Sequence, residues 1–168
     1  MKRRTLLSAG LGAFCIAIPS IIAFILGMEE SKSEENKSIK KLNLTQAQWK
    51  KKLTPAQYHI LREEGTEKPF SSALNNEKRK GIYTCAGCDL PLFKSEMKYD
   101  SGTGWPSFYD TITQAVETKA DFKLLIPRTE YHCARCGGHQ GHVFNDGPKP
   151  TGKRYCNNGL ALKLIPKT

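Results

Sequence analysis

Residues 81–93 read Gly81-Ile82-Tyr83-Thr84-Cys85-Ala86-Gly87-Cys88-Asp89-Leu90-Pro91-Leu92-Phe93: a β-prone run, a tight Cys-x-x-Cys turn and a second β-prone run. Short segments rich in β-branched and aromatic residues, bounded by Gly, Pro and Asp, read as strands joined by turns. The texture continues downstream, with candidate strands at residues 115–117, 122–126, 142–144 and 160–165. No helix-length amphipathic segment separates them, so a compact antiparallel, mainly β fold is expected and alternating β-α-β units are excluded. Upstream the signals turn helical. Thr45 caps a segment reaching Lys50-Lys51-Lys52, and Thr54 caps a second with Pro55 at its first position and Gly65 at its stop. Leu53, Tyr58 and Leu61 give that second helix an apolar stripe.

The chain of 168 residues opens Met1-Lys2-Arg3-Arg4 and then carries no charge from Thr5 to Met28. A basic start followed by an apolar run is the layout of an export signal, and the run approaches the length that crosses a bilayer. Arg3-Arg4-Thr5-Leu6-Leu7 is also similar to a twin-arginine signal. Residues 1–28 are therefore expected to be a signal peptide or a membrane anchor through residues 5–28, with Cys15 inert inside it. The protein is expected to be exported or membrane-anchored and extracytoplasmic, in the periplasm or its equivalent. Residues 29–44, rich in Glu, Lys, Ser and Asn, are expected to be a disordered linker. Residues 45–168 are then one domain. The formal net charge is +10, of which +7 remains without residues 1–28. The lysines are scattered and not interleaved with aromatics, so no nucleic-acid partner is expected. A monomer is expected.

Four of the six cysteines form two pairs, Cys85/Cys88 and Cys133/Cys136. Each pair lies in a knuckle-like turn that points two sulfurs the same way, and two such turns make a closed tetrahedron around Zn2+. With every position taken by thiolate, one zinc here is structural and not catalytic. Redox Cys-x-x-Cys chemistry, or two disulfides, is the competing reading in an exported chain.

Cys156, in Arg154-Tyr155-Cys156-Asn157-Asn158-Gly159, has no obvious partner. A lone thiol beside basic and polar residues is a candidate nucleophile, or else a cysteine packing as a small hydrophobe. Two further segments weigh on the choice. Ser101-Gly102-Thr103-Gly104-Trp105-Pro106-Ser107-Phe108 presents a tryptophan on a glycine-hinged turn, and Gly138-His139-Gln140-Gly141-His142-Val143-Phe144 spaces two histidines three apart. Thiol, imidazole, arginine and an aromatic wall are the parts needed for thiolate attack on a polar, weakly electrophilic centre.

These segments, with Leu53-Thr54-Pro55 and Gly65-Thr66-Glu67-Lys68-Pro69-Phe70, resemble in order the type B peptide-methionine (R)-S-oxide reductases, over about residues 45–167. The resemblance implies a fold of two antiparallel sheets with a four-cysteine zinc site away from the catalytic groove. It implies that Cys156 attacks the sulfoxide sulfur and becomes a sulfenic acid. His139 and His142 would bind and help protonate the sulfoxide oxygen, and Asn158 and Arg154 would orient the substrate and favour the thiolate. Trp105, supported by Phe144, would wall the S-methyl group. The implied partners are oxidised proteins carrying methionine-R-sulfoxide and a thioredoxin-like or other thiol reductant. Thr103 stands where many members carry a resolving cysteine, which implies regeneration by an external thiol. Asn157 and Asp89 also depart from the family pattern, and neither is expected to touch the chemistry. Two readings from other classes remain: a membrane-anchored zinc-ribbon binding module using its basic face for nucleic acid, which would leave Trp105, His139, His142 and Cys156 unexplained as a group, and a thiol–disulfide exchange enzyme using its Cys-x-x-Cys pairs.

Overall fold

The computed structural model describes residues 38–124 and 126–168. Two short helices come first, α1 (Gln46–Lys52) and α2 (Pro55–Glu63). Both start as the caps dictate: Thr45 and Thr54 each accept an N–H from the glutamine three residues on, and Gln48 and Gln57 return the bond to the cap backbone. The left-handed residue ending α2 is Glu64 (φ 55°), one position before the glycine expected to stop it. Leu53, Tyr58, Ile60 and Leu61 are buried.

Among the described residues nine strands follow: β1 (Gly81–Cys85), β2 (Pro91–Lys94), β3 (Lys98–Tyr99), β4 (Ser107–Phe108), β5 (Val116–Asp121), β6 (Arg128–Cys133), β7 (His139–Phe144), β8 (Arg154–Asn157) and β9 (Leu162–Pro166). They form two sheets, a three-stranded one ordered β2-β1-β9 and a six-stranded one ordered β3-β4-β8-β7-β6-β5, with every pairing antiparallel. Aromatic side chains fill the core. Phe93 of β2 stacks on Phe108 of β4 with ring centres 4.1 Å apart, Tyr83 meets Phe108 edge-on at 5.0 Å, and Tyr131 of β6 meets Tyr155 of β8 at 5.3 Å.

Two expectations change. Of residues 122–126, expected as a strand, the described ones, Phe122, Lys123, Leu124 and Ile126, lie between β5 and β6 and are not in a strand. Asp121 ends β5 and accepts the Lys123 N–H at 2.9 Å, turning the chain, while Phe122, Leu124 and Ile126 stay exposed. The strand that pairs with β5 is the more polar β6, its register running from Val116 opposite Cys133 to Asp121 opposite Arg128. Residues 38–44, expected within a disordered linker, lie against the domain: Ile39, Leu42 and Leu44 pack on the core and the Leu42 N–H donates to the Arg135 carbonyl at 2.7 Å. Residues 29–37 of that linker and the whole of residues 1–28 lie outside the described residues.

Phe108 is fully buried between Phe93 and Tyr83. Phe108→Ala is expected to cost about 3–5 kcal/mol, read from the denaturant midpoint at unchanged slope.

Candidate active site

Strand register builds the site. In β8, alternation turns Tyr155 to the aromatic core and Cys156 to the other face. Cys156 lies opposite His142 of β7 on one side and Ser107 of β4 on the other, and the row continues from His142 to Glu130 of β6 and Lys119 of β5. Cross-strand neighbours are close enough for side chains to touch, so register alone assembles thiol, imidazole and carboxylate. Gly141 permits the approach of β7 to β8, because a Cβ there would lie 1.9 Å from the Cys156 carbonyl oxygen. Gly104, with φ +93°, lets the Trp105 turn pass Pro69 and Phe70, where a Cβ would lie 2.8 Å from the nearest atom.

Cys156 opens on a cavity of about 130 Å³ lined by Trp105, Phe144, His142, Asn158, Asn157 and Thr66, among others. A second cavity of about 420 Å³ shares Thr66, Arg128 and His142 with it and adds His139 and Glu130. Of the residues singled out from the sequence, Trp105, His142, Phe144, Cys156 and Asn158 thus share one cavity, and His139 lines the adjoining one. The two imidazoles are 5.5 Å apart between ring centres. Arg154 stacks on Phe144 at 4.2 Å and is held by a bidentate pair with Asp146, both bonds 2.8 Å.

Each histidine is held by a carboxylate that sequence reading missed. His139 Nδ1 meets Glu130 Oε1 at 2.7 Å, and His142 Nε2 meets Asp121 Oδ2 at 2.7 Å. His139 Nε2 is buried with no protein partner. Burial lowers the His142 pKa and outweighs the upward pull of Asp121, while Arg128 and His139 push the same way as burial. Burial works to raise the Glu130 pKa, yet hydrogen bonds from His132 and His139 hold it at about 2. The hydrogen bond from the Lys123 N–H, then that from His142, hold Asp121 well below the usual carboxylate range.

The expected effect of Arg154 on Cys156 is present but outweighed. Burial raises the thiol pKa, against the pull of the Arg154 charge and hydrogen bonds from Thr103 and Arg154. Asn158 is committed to the fold: its Oδ1 accepts the Glu67 N–H at 3.0 Å and its Nδ2 donates to the Gln140 carbonyl at 3.1 Å. Asn157, expected to stand clear of the chemistry, lines the cavity and accepts the Tyr131 hydroxyl at 2.6 Å. Glu67 is the other hidden anchor. Its carboxylate accepts the Gly159 and Leu160 N–H groups at 2.5 and 3.1 Å, and its carbonyl accepts Trp105 Nε1–H at 3.1 Å.

Cys85, Cys88, Cys133 and Cys136 converge elsewhere, all buried, with the four sulfurs within 4.8 Å of one another. Cys85 lies 3.7 Å from Cys136 and Cys88 lies 3.5 Å from Cys133, sulfur to sulfur. These spacings are far beyond a disulfide bond of about 2.05 Å. They approach the edge, roughly 3.8 Å, of a tetrahedron with metal–sulfur bonds of about 2.3 Å. The residues fit a four-thiolate metal site. Gln140 Nε2 donates to Cys85 Sγ at 3.5 Å, joining this cluster to the strand that carries both histidines.

A β-domain with a buried four-thiol cluster and a separate, partly exposed thiol beside carboxylate-held histidines has the make-up of a thiol-dependent oxidoreductase. Comparison with known proteins narrows that class. Residues 53–166 match the family described as SelR domain. The chain is 55% identical over 126 residues to "Peptide methionine sulfoxide reductase MsrB" of Methanosarcina barkeri, covering 74% of this chain and 89% of that protein. It is 52% identical over 127 residues to the protein of the same name from Agrobacterium fabrum (75% and 94% covered). It is 49% identical over 127 residues to "Methionine-R-sulfoxide reductase B3, mitochondrial" of Mus musculus (75% and 50% covered). The chain belongs to the type B methionine sulfoxide reductase family.

The same comparison overturns the extracytoplasmic localisation expected from residues 1–28. The matches take up 89% and 94% of the Methanosarcina and Agrobacterium relatives, leaving little of their length for a comparable leader. Among the described residues no helix is long and apolar enough to cross a membrane.

Glu130 supplies a pH test. Its carboxyl protonates at about 2 in the folded chain and near 4.5 when free, so its contribution is complete above 4.5 and lost as pH falls toward 2. In Glu130→Gln the drop in unfolding free energy across that window is expected to shrink by on the order of 2–3 kcal/mol, measured by denaturation at stepped pH.

Proposed function

We propose that the protein reduces the R epimer of methionine sulfoxide, in oxidised proteins, to methionine through a sulfenic acid on Cys156. The observation that carries this reading is a partly exposed thiol sharing one cavity with Trp105, Phe144 and His142 in a domain of the methionine sulfoxide reductase family. The R preference is supported by the name of the Mus musculus relative.

In this mechanism the S-methyl group lies against Trp105 with Phe144 behind it, and the sulfoxide oxygen is directed to the histidines. The Cys156 thiolate attacks the sulfoxide sulfur. His139 and His142, each steadied by its carboxylate, deliver a proton to the oxygen, since an S–O bond does not release a bare oxide. Oxygen passes to Cys156, whose sulfur is oxidised to sulfenic acid as the methionine sulfur is reduced to thioether. Two external thiols then restore Cys156, leaving as a disulfide with release of water. Arg154 favours the thiolate. Asn158, whose side chain ties Glu67 to Gln140, acts by positioning the turn after Cys156. The need for an external reductant is supported by the other cysteines among the described residues all lying in the four-thiol cluster. That cluster would hold one structural zinc, which when bound cross-links the two knuckles.

Purified protein with dithiothreitol is expected to reduce the R and not the S epimer of methionine sulfoxide, and Cys156→Ser to lose at least about a thousand-fold in rate, as for removal of a nucleophile. Equal rates on both epimers, or an active Cys156→Ser, would refute the assignment. Metal analysis is expected to give one zinc per chain. Chelation under denaturing stress is expected to lower the thermal midpoint by about 10 °C or more, because metal binding contributes directly to folding.

A further inference from the structure

Arg128 lines both cavities, together with Thr66 and His142, and the mechanism above gives it no part. Strand register places it. Glu130 lies opposite His142 and Thr129 opposite Val143, so the next position along β6, Arg128, comes level with Phe144, which in turn faces Arg154 of β8. Arg128 and Glu130, two apart on one strand, share a face of the sheet. That face carries two rows. The inner row runs Glu130, His142, Cys156, and the outer row runs Arg128, Phe144, Arg154.

The two arginines of the outer row are held differently. Arg154 gives both Nε and Nη2 to Asp146, at 2.8 Å each. Arg128 gives Nη2 to Asp121 Oδ2 at 2.7 Å, while its Nε is buried with no hydrogen-bond partner among the described residues. A guanidinium carries five N–H donors, so Arg128 keeps donors that the fold leaves unused. A buried charged donor left unpaired costs free energy that an arriving acceptor restores. Asp121 is already engaged: its Oδ1 takes the Lys123 N–H, and its Oδ2 takes both Arg128 and His142.

Distance selects the acceptor. Same-face neighbours on a strand lie about 6.6 Å apart, so Arg128 stands one such step outward from the row that holds Cys156. With the sulfoxide sulfur at Cys156 and its oxygen at the histidines, the methionine side chain runs outward along Phe144. Three bonds lead from that sulfur to the Cα and two more to the carbonyl oxygen, a reach that matches the step between rows. We propose that Arg128 is a further substrate-binding residue, donating to the main-chain carbonyl of the residue that carries the sulfoxide. The substrate is thereby recognised as part of a polypeptide chain and not only as a methyl sulfoxide.

The assignment rests on the reductase reading above, and the two fail differently. Steady-state kinetics are compared for N-acetyl-methionine-(R)-sulfoxide N-methylamide, which has main-chain carbonyls, and for the matching enantiomer of ethyl methyl sulfoxide, which keeps the side-chain end without them. Arg128→Met is expected to lower the ratio of kcat/KM, first substrate over second, about ten-fold and mainly through KM, as for loss of a hydrogen bond to a charged group. Any disturbance of His142 by way of Asp121 lowers both rates alike and cancels in the ratio. Arg128→Lys, which keeps the charge beside Asp121 but loses the planar fork, is expected to lower the ratio about three-fold. It carries the test if Arg128→Met does not fold by circular dichroism. A ratio unchanged within two-fold in the folded variants overturns the carbonyl contact, whatever the fall in overall rate, and leaves the reductase reading intact. Unsubstituted protein that reduces neither sulfoxide removes the reductase reading, and the role of Arg128 with it.

Discussion

Everything at the candidate site depends on the register between β7 and β8. Side chains alternate across a sheet, so a slip of one residue would turn Cys156 to the aromatic core and Tyr155 to the cavity. Two features hold the register. Tyr155 is tied into the core by Tyr131 and Phe93, and Gly141 packs directly on the Cys156 carbonyl, where no larger residue fits. Packing on one face therefore fixes chemistry on the other. Cys156 meets His142 and Ser107 because Phe108, Tyr131 and Tyr155 are large and apolar and must be buried together.

Buried carboxylates do the remaining alignment. Glu130 and Asp121 each accept from a histidine, and Glu67 gathers the turn after Cys156 and the Trp105 ring to one residue. An ionised carboxylate in such a setting is tolerated because its oxygens are met by hydrogen-bond donors. Asp146 does the same for Arg154 at the cavity edge. The four-thiol cluster adds a different kind of tie. Cys85 ends β1 in the small sheet and Cys133 ends β6 in the large one, so the cluster joins the two layers at one end. Gln140 carries that connection into β7.

What could be read from the residues was what acts locally. The helix starts followed from Thr45, Thr54 and Pro55, whose effects reach three residues along the chain, and the cysteine knuckles followed from spacing. The strands richest in function were the hardest to see. β6 reads Arg-Thr-Glu-Tyr-His-Cys and β8 reads Arg-Tyr-Cys-Asn, and the polar face that carries the site masks their alternation. The apolar residues 122–126 gave a stronger strand signal, yet Phe122, Leu124 and Ile126 lie outside any strand, since Asp121 turns the chain there. The anchors were invisible for another reason: Glu67 and Gly159 lie 92 positions apart, and only the fold makes them neighbours. A terminal apolar run and a basic start were legible too, but the localisation drawn from them did not survive comparison with relatives that consist almost wholly of the matched domain.

The burial of the sulfurs carries one more consequence. A protein whose substrate is made by oxidants works where oxidants are present, and its own thiols are exposed to the same attack. Cys85 and Cys133 are fully shielded, Cys88 and Cys136 are 8% and 7% exposed, and Cys156 alone among the five described cysteines is only partly covered. Damage is thereby directed to the single sulfur whose first oxidation product, a sulfenic acid, thiols can reverse. The cysteines that join the two sheets are spared by the packing they help to create.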